Sequence, residues 1–152
     1  MLGRLILLLI SSGSLIPMEA MNDIGYLDGS LFIDLVDTEW YLRAIAKGYQ
    51  SYGVCDAIMN HALGDKVIRI WFGRMRTVPI HSPLRLYYIF RNSVLVSTRP
   101  YVSRKWIIDH CLKLVQRIIL FPCLVAPRRK YILMILRGLR DGILGRTGKY
   151  RG

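Results

Sequence analysis

The sequence predicts an α/β fold over about residues 5–80, followed by amphipathic helices over residues 81–152. Two observations lead to this prediction. In the first region, apolar runs flank a helix-like segment, and this strand–helix–strand order is typical of an α/β layer. In the second region, apolar side chains recur at helical spacing behind three helix-start signals, which predicts helices with one apolar and one polar face.

Charge divides the chain in the same way, and composition excludes several classes of protein. The 152 residues are 53% hydrophobic with a formal net charge of +12, unlike a disordered basic tail or a low-complexity segment. Residues 1–60 hold 3 basic and 7 acidic side chains, whereas residues 61–152 hold 19 basic and 3 acidic ones. The second region is therefore expected to meet a polyanion, either nucleic acid or an anionic membrane surface.

Short apolar runs and turn residues define the elements of the first region. Residues 5–16 and 49–60 are predicted strands, because each is a short run rich in apolar or β-forming side chains. Between them, the apolar run 31–36 leads into a helix over 38–47, with Asp37 as the cap at its start. This order would place Asp37 at the carboxyl end of a strand-like segment.

Three helices are predicted in the second region, each behind a residue that starts helices well. Ser82 with Pro83, then Ser103, then Pro127 supply these starts. The helices run over about 82–96, 103–120 and 127–143. Residues 145–152 are expected to form a frayed basic tail.

The second and third of these helices are predicted to be amphipathic. The apolar arc of the second comprises Cys111, Leu114, Val115, Ile118 and Ile119, opposite Lys105, Asp109, Lys113 and Arg117. The apolar arc of the third comprises Ile132, Ile135, Leu136, Leu139 and Ile143, opposite Arg129, Lys130, Arg137, Arg140 and Asp141. These arcs would either pack together as a bundle or lie at a membrane surface.

Two further apolar stretches are too short to cross a bilayer as a single helix. Residues 5–10 resemble the core of a signal peptide, but residues 15–17 do not provide a small-residue cleavage site. Residues 118–126 are interrupted by Pro122 and fall well short of a membrane span. We therefore expect a buried strand at 5–10 rather than a cleaved leader.

The densest acidic cluster, Asp34, Asp37 and Glu39, is the best candidate for chemistry. At the carboxyl end of a strand, these carboxylates would lie in the crevice where open α/β sheets bind ligands. Backbone N–H groups at the helix start would keep Asp37 ionised, so it could accept a proton from an attacking hydroxyl. The alternative is that Asp37 only caps the helix and that Asp34 and Glu39 are solvated.

Two weaker signals flank this cluster. His61 ends the second predicted strand and could bind a divalent cation or contact a diphosphate, although a lone histidine is often an ordinary surface residue. Ser12 and Gly13, in the run Ser-Ser-Gly-Ser, could let a ligand approach the backbone closely. That run lacks the lysine and glycine spacing of a P-loop.

A resemblance to a known family becomes specific at residues 32–44. Their sequence, Phe-Ile-Asp-Leu-Val-Asp-Thr-Glu-Trp-Tyr-Leu-Arg-Ala, resembles the acceptor-side motif of family 2 inverting glycosyltransferases, in particular bacterial rhamnosyltransferases of O-antigen and related polysaccharide synthesis. Other segments that resemble this family are 10–16, 24–28, 47–49, 59–64 and 81–92. Together they cover nearly the whole chain.

The resemblance implies a fold, site residues, substrates and a cofactor. Residues 1–80 would be the acceptor side of a GT-A-type catalytic domain, with a partial GT-A-like sheet over about 5–80. Asp37 would be the catalytic base, and His61 would assist a Mg²⁺ or Mn²⁺ ion or the leaving diphosphate. The implied substrate-binding residues are Glu39, Trp40, Ser12 and Gly13. The donor would be dTDP-rhamnose, and the acceptor a lipid-linked glycan.

The sequence departs from the family in one respect. No Asp-x-Asp occurs in the chain, and the nucleotide-binding half that precedes these segments in such enzymes is missing. We therefore expect the chain to correspond to a C-terminal half. Its transferase activity alone should be weak or absent, because metal ligands normally stabilise the departing diphosphate.

Residues 81–152 carry the expectation about location and partners. The resemblance implies helices at an anionic membrane surface, on the cytoplasmic side and peripheral to the inner membrane, and the three widely spaced cysteines agree with a reducing compartment. The alternative is a small basic protein without catalysis that binds a membrane or nucleic acid. No nucleic acid partner is expected, because no helix-turn-helix, zinc-finger or RNA-binding motif occurs.

Overall fold

The computed structural model describes residues 4–6, 11–54, 56–59, 66–71, 73, 75–124 and 126–152. The helices of this part of the chain are α1 (Met18–Ile24), α2 (Val36–Ala46), α3 (Pro83–Ser97), α4 (Arg104–Leu124) and α5 (Arg128–Ile143). Its strands are β1 (Arg4–Ile6), β2 (Ser51–Gly53), β3 (Lys66–Trp71) and β4 (Met75–Ile80). A 3₁₀ turn, Gly29–Leu31, lies between α1 and α2.

The strands form two separate antiparallel pairs. β1 pairs with β2, with Leu5 opposite Tyr52, and β3 pairs with β4, with Arg69 opposite Thr77. Helices and strands both occur, so the predicted α/β character is confirmed in part. A GT-A-like sheet is not shown, because neither pair gains a third strand among the described residues of 5–80.

The strands are shorter than predicted. Within 5–16, β1 ends at Ile6, residues 7–10 lie outside the described residues, and residues 11–17 form a turn and a loop. Among the described residues of 49–60, only Ser51–Gly53 forms a strand. The prediction that the run 31–36 is strand-like is wrong. Leu31 packs in the core, and no residue of the run lies in a sheet.

Helix α3 is the centre of the fold. Its residues 86–93 are all buried, as expected for a helix that is surrounded by other elements. It begins where the sequence predicts, since the Ser82 hydroxyl accepts a hydrogen bond from the Arg85 N–H at 3.2 Å. Leu86 and Phe90 pack with Leu114 of α4 and Ile135 of α5 in one cluster.

Helices α3 and α5 approach closely through two glycines of α5. A Cβ atom added at Gly138 would lie 2.5 Å from the Tyr87 carbonyl oxygen, and one at Gly142 would lie 2.8 Å from that of Arg91. The buried residues of α5 are Tyr131, Met134, Ile135, Gly138, Asp141 and Gly142. The predicted apolar arc of this helix is therefore confirmed only in part: Ile135 is buried and Leu139 packs against the same cluster, whereas the rest of the arc is exposed because the two glycines permit the closer contact on a different face.

Helix α4 is oriented differently from the prediction as well. Of its predicted apolar arc, Leu114 is buried, whereas Val115, Ile118 and Ile119 are exposed. Arg117, from the predicted solvated arc, is only partly exposed. The free thiol of Cys111 is also exposed.

The C-terminal residues are packed, so the prediction of a frayed tail is wrong. The Gly148 N–H donates to the Ser30 carbonyl at 2.6 Å, and the Tyr150 N–H donates to the Tyr88 hydroxyl at 2.7 Å. The Tyr150 ring also lies 4.6 Å from that of Tyr87. These contacts join the end of the chain to α3 and to the segment before α2.

Candidate functional site

A cleft of about 770 Å³ lies between the segment that leads into α2, the start of α3 and one face of α4. Ser11, Asp34 and Asp37 contribute to one wall. The opposite walls include the basic or titratable side chains His81, Arg85, His110, Lys113 and Arg117. The cleft therefore sets two carboxylates against several basic groups.

The wall that carries the carboxylates has an unusual backbone. Phe32, Asp34 and Leu35 have φ values of 65°, 62° and 60°. Each such non-glycine residue costs roughly 1–2 kcal/mol. A strained conformation of this kind persists only where the surroundings fix it, and strained residues cluster at functional sites.

Two buried side chains of α3 fix this segment. The Asn92 side-chain amide lies 2.9 Å from the Leu31 carbonyl, 2.8 Å from that of Ile33 and 2.9 Å from that of Asp34. Arg91 also donates to the Leu31 carbonyl, at 2.8 Å. Because these polar groups are buried, losing the contacts would leave unpaired donors and acceptors, which holds the segment in place.

Asp34 is paired within the cleft. The Arg85 guanidinium contacts both of its carboxylate oxygens at 3.1 Å through two nitrogens. This forked arrangement is the strong form of the ion pair. Asp34 therefore anchors the wall to α3.

Asp37 lies in the first turn of α2 and lines the cleft, partly exposed. The cap position is held by Leu35, so the prediction that Asp37 itself caps the helix is wrong. Its Oδ2 instead accepts a hydrogen bond from the Ser11 N–H at 3.1 Å. A carboxylate in the first helical turn is favoured by the helix dipole.

Glu39 makes its contacts inside the fold rather than in the cleft. It is buried, and both of its oxygens contact Arg43 at 3.0 Å. It also accepts a hydrogen bond from the Tyr101 hydroxyl, and burial together with this bond raises the pKa of Tyr101 to about 12. Among the described residues, the lining of the cleft does not include Glu39.

The other predicted site residues are spread over the fold. Trp40 is buried and its Nε1 donates to the Gly25 carbonyl at 2.6 Å. Ser12 and Gly13 are exposed in the loop beside the cleft, and the neighbouring Ser11 contributes to its lining. His61 lies outside the described residues.

Sequence reasoning missed the basic wall of the cleft. Lys113 and Arg117 lie four residues apart on α4, and His110 lies one turn before them. This spacing places the three side chains on one side of the helix, and it is the sequence signal that could have indicated the wall. The sequence pattern predicts a solvated arc for Lys113 and Arg117 and gives no role to His110. Periodicity alone does not show which arc of a helix faces its neighbours. Arg85 lies on α3, 48 residues after Asp37 in the sequence, so no local pattern joins the two.

His110 is held neutral. Burial, and then the positive charges of Arg117 and Lys113, lower its pKa from 6.5 to about 4. Its Nε2 lies 2.8 Å from the Ser93 hydroxyl, which itself donates to the Ile89 carbonyl at 2.5 Å. The hydroxyl proton is thereby used, so we infer that Nε2 carries the ring proton.

A divalent cation such as Mg²⁺ needs several oxygen ligands close together. The described residues contain no group of three or more His, Cys, Asp or Glu side chains that could hold a metal ion. Asp34, the other carboxylate that lines the cleft, is already occupied by Arg85. The described residues therefore fit a divalent cation poorly.

The arrangement defines a class of site: a fixed carboxylate facing basic side chains, suited to a polar ligand that is also anionic.

Comparison with known proteins finds a similar sequence. The chain is 34% identical over 142 residues to the dTDP-rhamnosyl transferase RfbF of Shigella flexneri. That match covers 91% of this chain and 46% of the relative, so the chain spans about half of that protein's length. The predicted resemblance to a rhamnosyltransferase is confirmed to this extent.

No family model and no solved structure matches the chain. None of the helices in the described ranges combines the length and the apolar character that a bilayer crossing requires.

Proposed function

We propose that this chain provides the acceptor side of a glycosyltransferase that moves rhamnose from dTDP-rhamnose to a hydroxyl of a lipid-linked glycan. One observation carries the proposal: the carboxylate of Asp37 lines an open cleft and is fixed by the Ser11 N–H. The same residue is the base implied by the motif at residues 32–44. The likeness to the Shigella flexneri transferase supports the class of reaction.

In the proposed reaction, Asp37 accepts the proton of the acceptor hydroxyl as that oxygen attacks the anomeric carbon of the donor. A new carbon–oxygen bond forms, the bond from this carbon to the diphosphate oxygen breaks, and its electron pair leaves with the diphosphate. Attack from the opposite face inverts the configuration. Asp34 is less suited to this role, because Arg85 already binds both of its oxygens.

The proposal assigns a separate role to the exposed face of α4. Ile108, Leu112, Val115 and Ile119 repeat at helical spacing, and their side chains are between 52% and 61% exposed. Arg104 and Lys105, at the start of the helix, are also exposed. An apolar stripe beside basic groups suits the interface of an anionic bilayer, so we propose peripheral attachment through this face.

A chimera tests the assignment of Asp37. The chain would replace the aligned segment of the Shigella flexneri transferase, and rhamnosyl transfer from dTDP-rhamnose to a lipid-linked acceptor would be measured. Asp37→Asn should lower kcat by about 10²–10⁴-fold, the usual contribution of a general base. Asp109→Asn, a matched change on the exposed surface of α4, should leave kcat unchanged. The chain alone is expected to show little or no transfer.

The outcomes separate the proposal from its alternative. An active chimera in which Asp37→Asn has no effect would refute the role of Asp37. A chain that retains nucleic acid at the same salt concentration at which it fails to float with anionic vesicles would instead support the basic binding protein without catalysis.

A further inference from the structure

We infer that Lys113 and Arg117 form a binding site for a phosphate-bearing ligand in the cleft, opposite Asp37. The inference rests on the proposed function for the orientation of the ligand, and it adds the site that would hold the ligand's charge. The shared chemistry is a diphosphate, which either a nucleotide or a prenyl-linked glycan would supply.

The first support is the orientation of α4. Its cleft side carries His110, Lys113 and Arg117, whereas its opposite side carries the exposed apolar stripe that begins at Ile108. A solvated surface helix normally has the reverse arrangement, with its charges in water and its apolar side packed. Lys113 and Arg117 therefore lie on the side of α4 that lines the cleft, where Arg117 is partly buried and Lys113 is exposed.

The second support is the environment of Arg117. Burial lowers the pKa of its guanidinium, the Asp34 carboxylate opposes this change, and Arg85 adds to it. No hydrogen bond or ion pair to Arg117 is found among the described residues, and Asp34 is taken by Arg85. Arg117 nevertheless remains charged at neutral pH, so an anion in the cleft would supply the partner that this guanidinium lacks.

The third support is that the Arg117 donors remain reachable. Within the described part of the chain, no buried side-chain nitrogen or oxygen lacks a hydrogen-bond partner. The unpaired guanidinium nitrogens of Arg117 must therefore keep contact with open space, and that space is the cleft. A guanidinium presents several N–H donors in a fixed plane, which matches the oxygens of a phosphate.

The charge of the site favours an anion, because the two cations that remain outnumber the one carboxylate. Arg85 and Asp34 neutralise each other, and His110 is neutral at pH 7. The charges that remain are those of the Lys113 and Arg117 cations and of the Asp37 carboxylate. On a helix, residues four apart have Cβ atoms about 5–6 Å apart, a spacing at which two cations can share one phosphate or straddle a diphosphate. Asp37 would repel the charge, which leaves a hydroxyl of the same ligand to face it.

Binding to the full chain tests the inference. Isothermal titration calorimetry would use pyrophosphate, inorganic phosphate, dTDP and farnesyl diphosphate as probes. Pyrophosphate should bind saturably, and Arg117→Gln and Lys113→Gln should each weaken it about tenfold, the loss of one charge-assisted contact. Arg104→Gln and Lys105→Gln are matched controls on the same helix and should change the affinity by less than about twofold.

The probes distinguish the source of the phosphate. A preference for dTDP over pyrophosphate indicates a nucleotide, and a preference for farnesyl diphosphate indicates a lipid-linked ligand. Arg117→Lys keeps the charge without the fork and should retain part of the affinity. Circular dichroism melting of each variant shows that a loss of binding is not a loss of folding.

The inference and the proposed function fail separately. The phosphate site would be refuted if pyrophosphate did not bind saturably, or if the Arg104→Gln control lost as much affinity as Arg117→Gln. If the chimera needs Asp37 while Arg117→Gln keeps a normal KM for both substrates, the site is wrong and the function stands. If Arg117→Gln abolishes pyrophosphate binding while Asp37→Asn leaves transfer intact, the site stands and the function is wrong.

Discussion

The side-chain amide of Asn92, at the centre of α3, donates to the backbone carbonyl of Asp34 at 2.9 Å. The same amide lies within hydrogen-bonding distance of the carbonyls of Leu31 and Ile33, so its two N–H groups are shared among three acceptors. One buried side chain thus holds the left-handed segment that carries Asp34 and leads to Asp37. The position of the cleft carboxylates depends on a residue that does not line the cleft.

Asn92→Ala should therefore be strongly destabilising. It leaves the carbonyls of Ile33 and Asp34 without this donor, although Arg91 still donates to that of Leu31, and it removes the support of a strained segment. The free energy of unfolding should therefore fall by about 2–4 kcal/mol. Urea denaturation measures this. Asn22→Ala, on the exposed surface of α1, is the control and should change stability by less than about 0.5 kcal/mol. Equal stability of the two variants would contradict the role of Asn92.

The sequence predicts some of this site and not the rest, for identifiable reasons. Ser82, Ser103 and Pro127 act locally, and the helices begin at them as predicted. The motif at residues 32–44 indicates Asp37 as a candidate site residue. The clamp by Asn92 spans 58 residues, and its signal is a single buried amide within an aromatic helix, which no local pattern reveals. The predicted strands were too long because apolar residues within them, such as Leu15 and Ile58, are exposed rather than part of a sheet.

The close contact between α3 and α5 gives a second prediction. Gly138→Ala would place a Cβ atom 2.5 Å from the Tyr87 carbonyl oxygen, which is backbone and cannot rotate away. The helices must separate, and stability should fall by about 2–4 kcal/mol. Gly29→Ala is the matched control, because no atom lies within 4 Å of its added Cβ. Thermal melting of both variants provides the measurement, and an unchanged midpoint for Gly138→Ala would contradict the packing.

The lowered pKa of His110 predicts a specific loss of stability in mild acid. The unfolded chain binds a proton near pH 6.5, whereas the folded chain does so near pH 4, so stability is complete above pH 6.5 and falls as pH decreases towards 4. The charged groups near the ring are Arg117 and Lys113 of its own helix. The Ser93 hydroxyl of α3 lies at its Nε2, and the Trp106 ring stacks on it with 4.5 Å between the ring centroids. Both cations oppose its protonation.

His110→Gln should flatten this dependence. Chemical denaturation at pH 7 and pH 5 would show a smaller difference for the variant than for the native chain, because the proton-binding imidazole is gone. Asp141 does not confuse the result, since hydrogen bonds from Tyr87 and Arg140 outweigh its burial and lower its pKa below 3.8. An identical pH dependence in both proteins would show that His110 titrates normally.

The exposed stripe of α4 predicts how the chain attaches to a bilayer. The double variant Leu112→Gln with Ile119→Gln replaces residues that are 59% and 60% exposed, so the fold should keep most of its stability. Burying each such side chain is worth about 1.5–3 kcal/mol, so even partial insertion predicts at least a tenfold loss of binding to phosphatidylglycerol vesicles. Vesicle flotation measures the bound fraction.

Leu15→Gln is the matched control for this experiment, because Leu15 is 99% exposed and lies far along the chain from α4. It should float like the native chain. Neutral phosphatidylcholine vesicles should bind both proteins weakly, since the basic residues at the start of α4 then have no anionic partner. If the double variant floats as well as the native chain while Arg104→Gln does not, attachment is electrostatic alone and the apolar stripe must face something other than lipid.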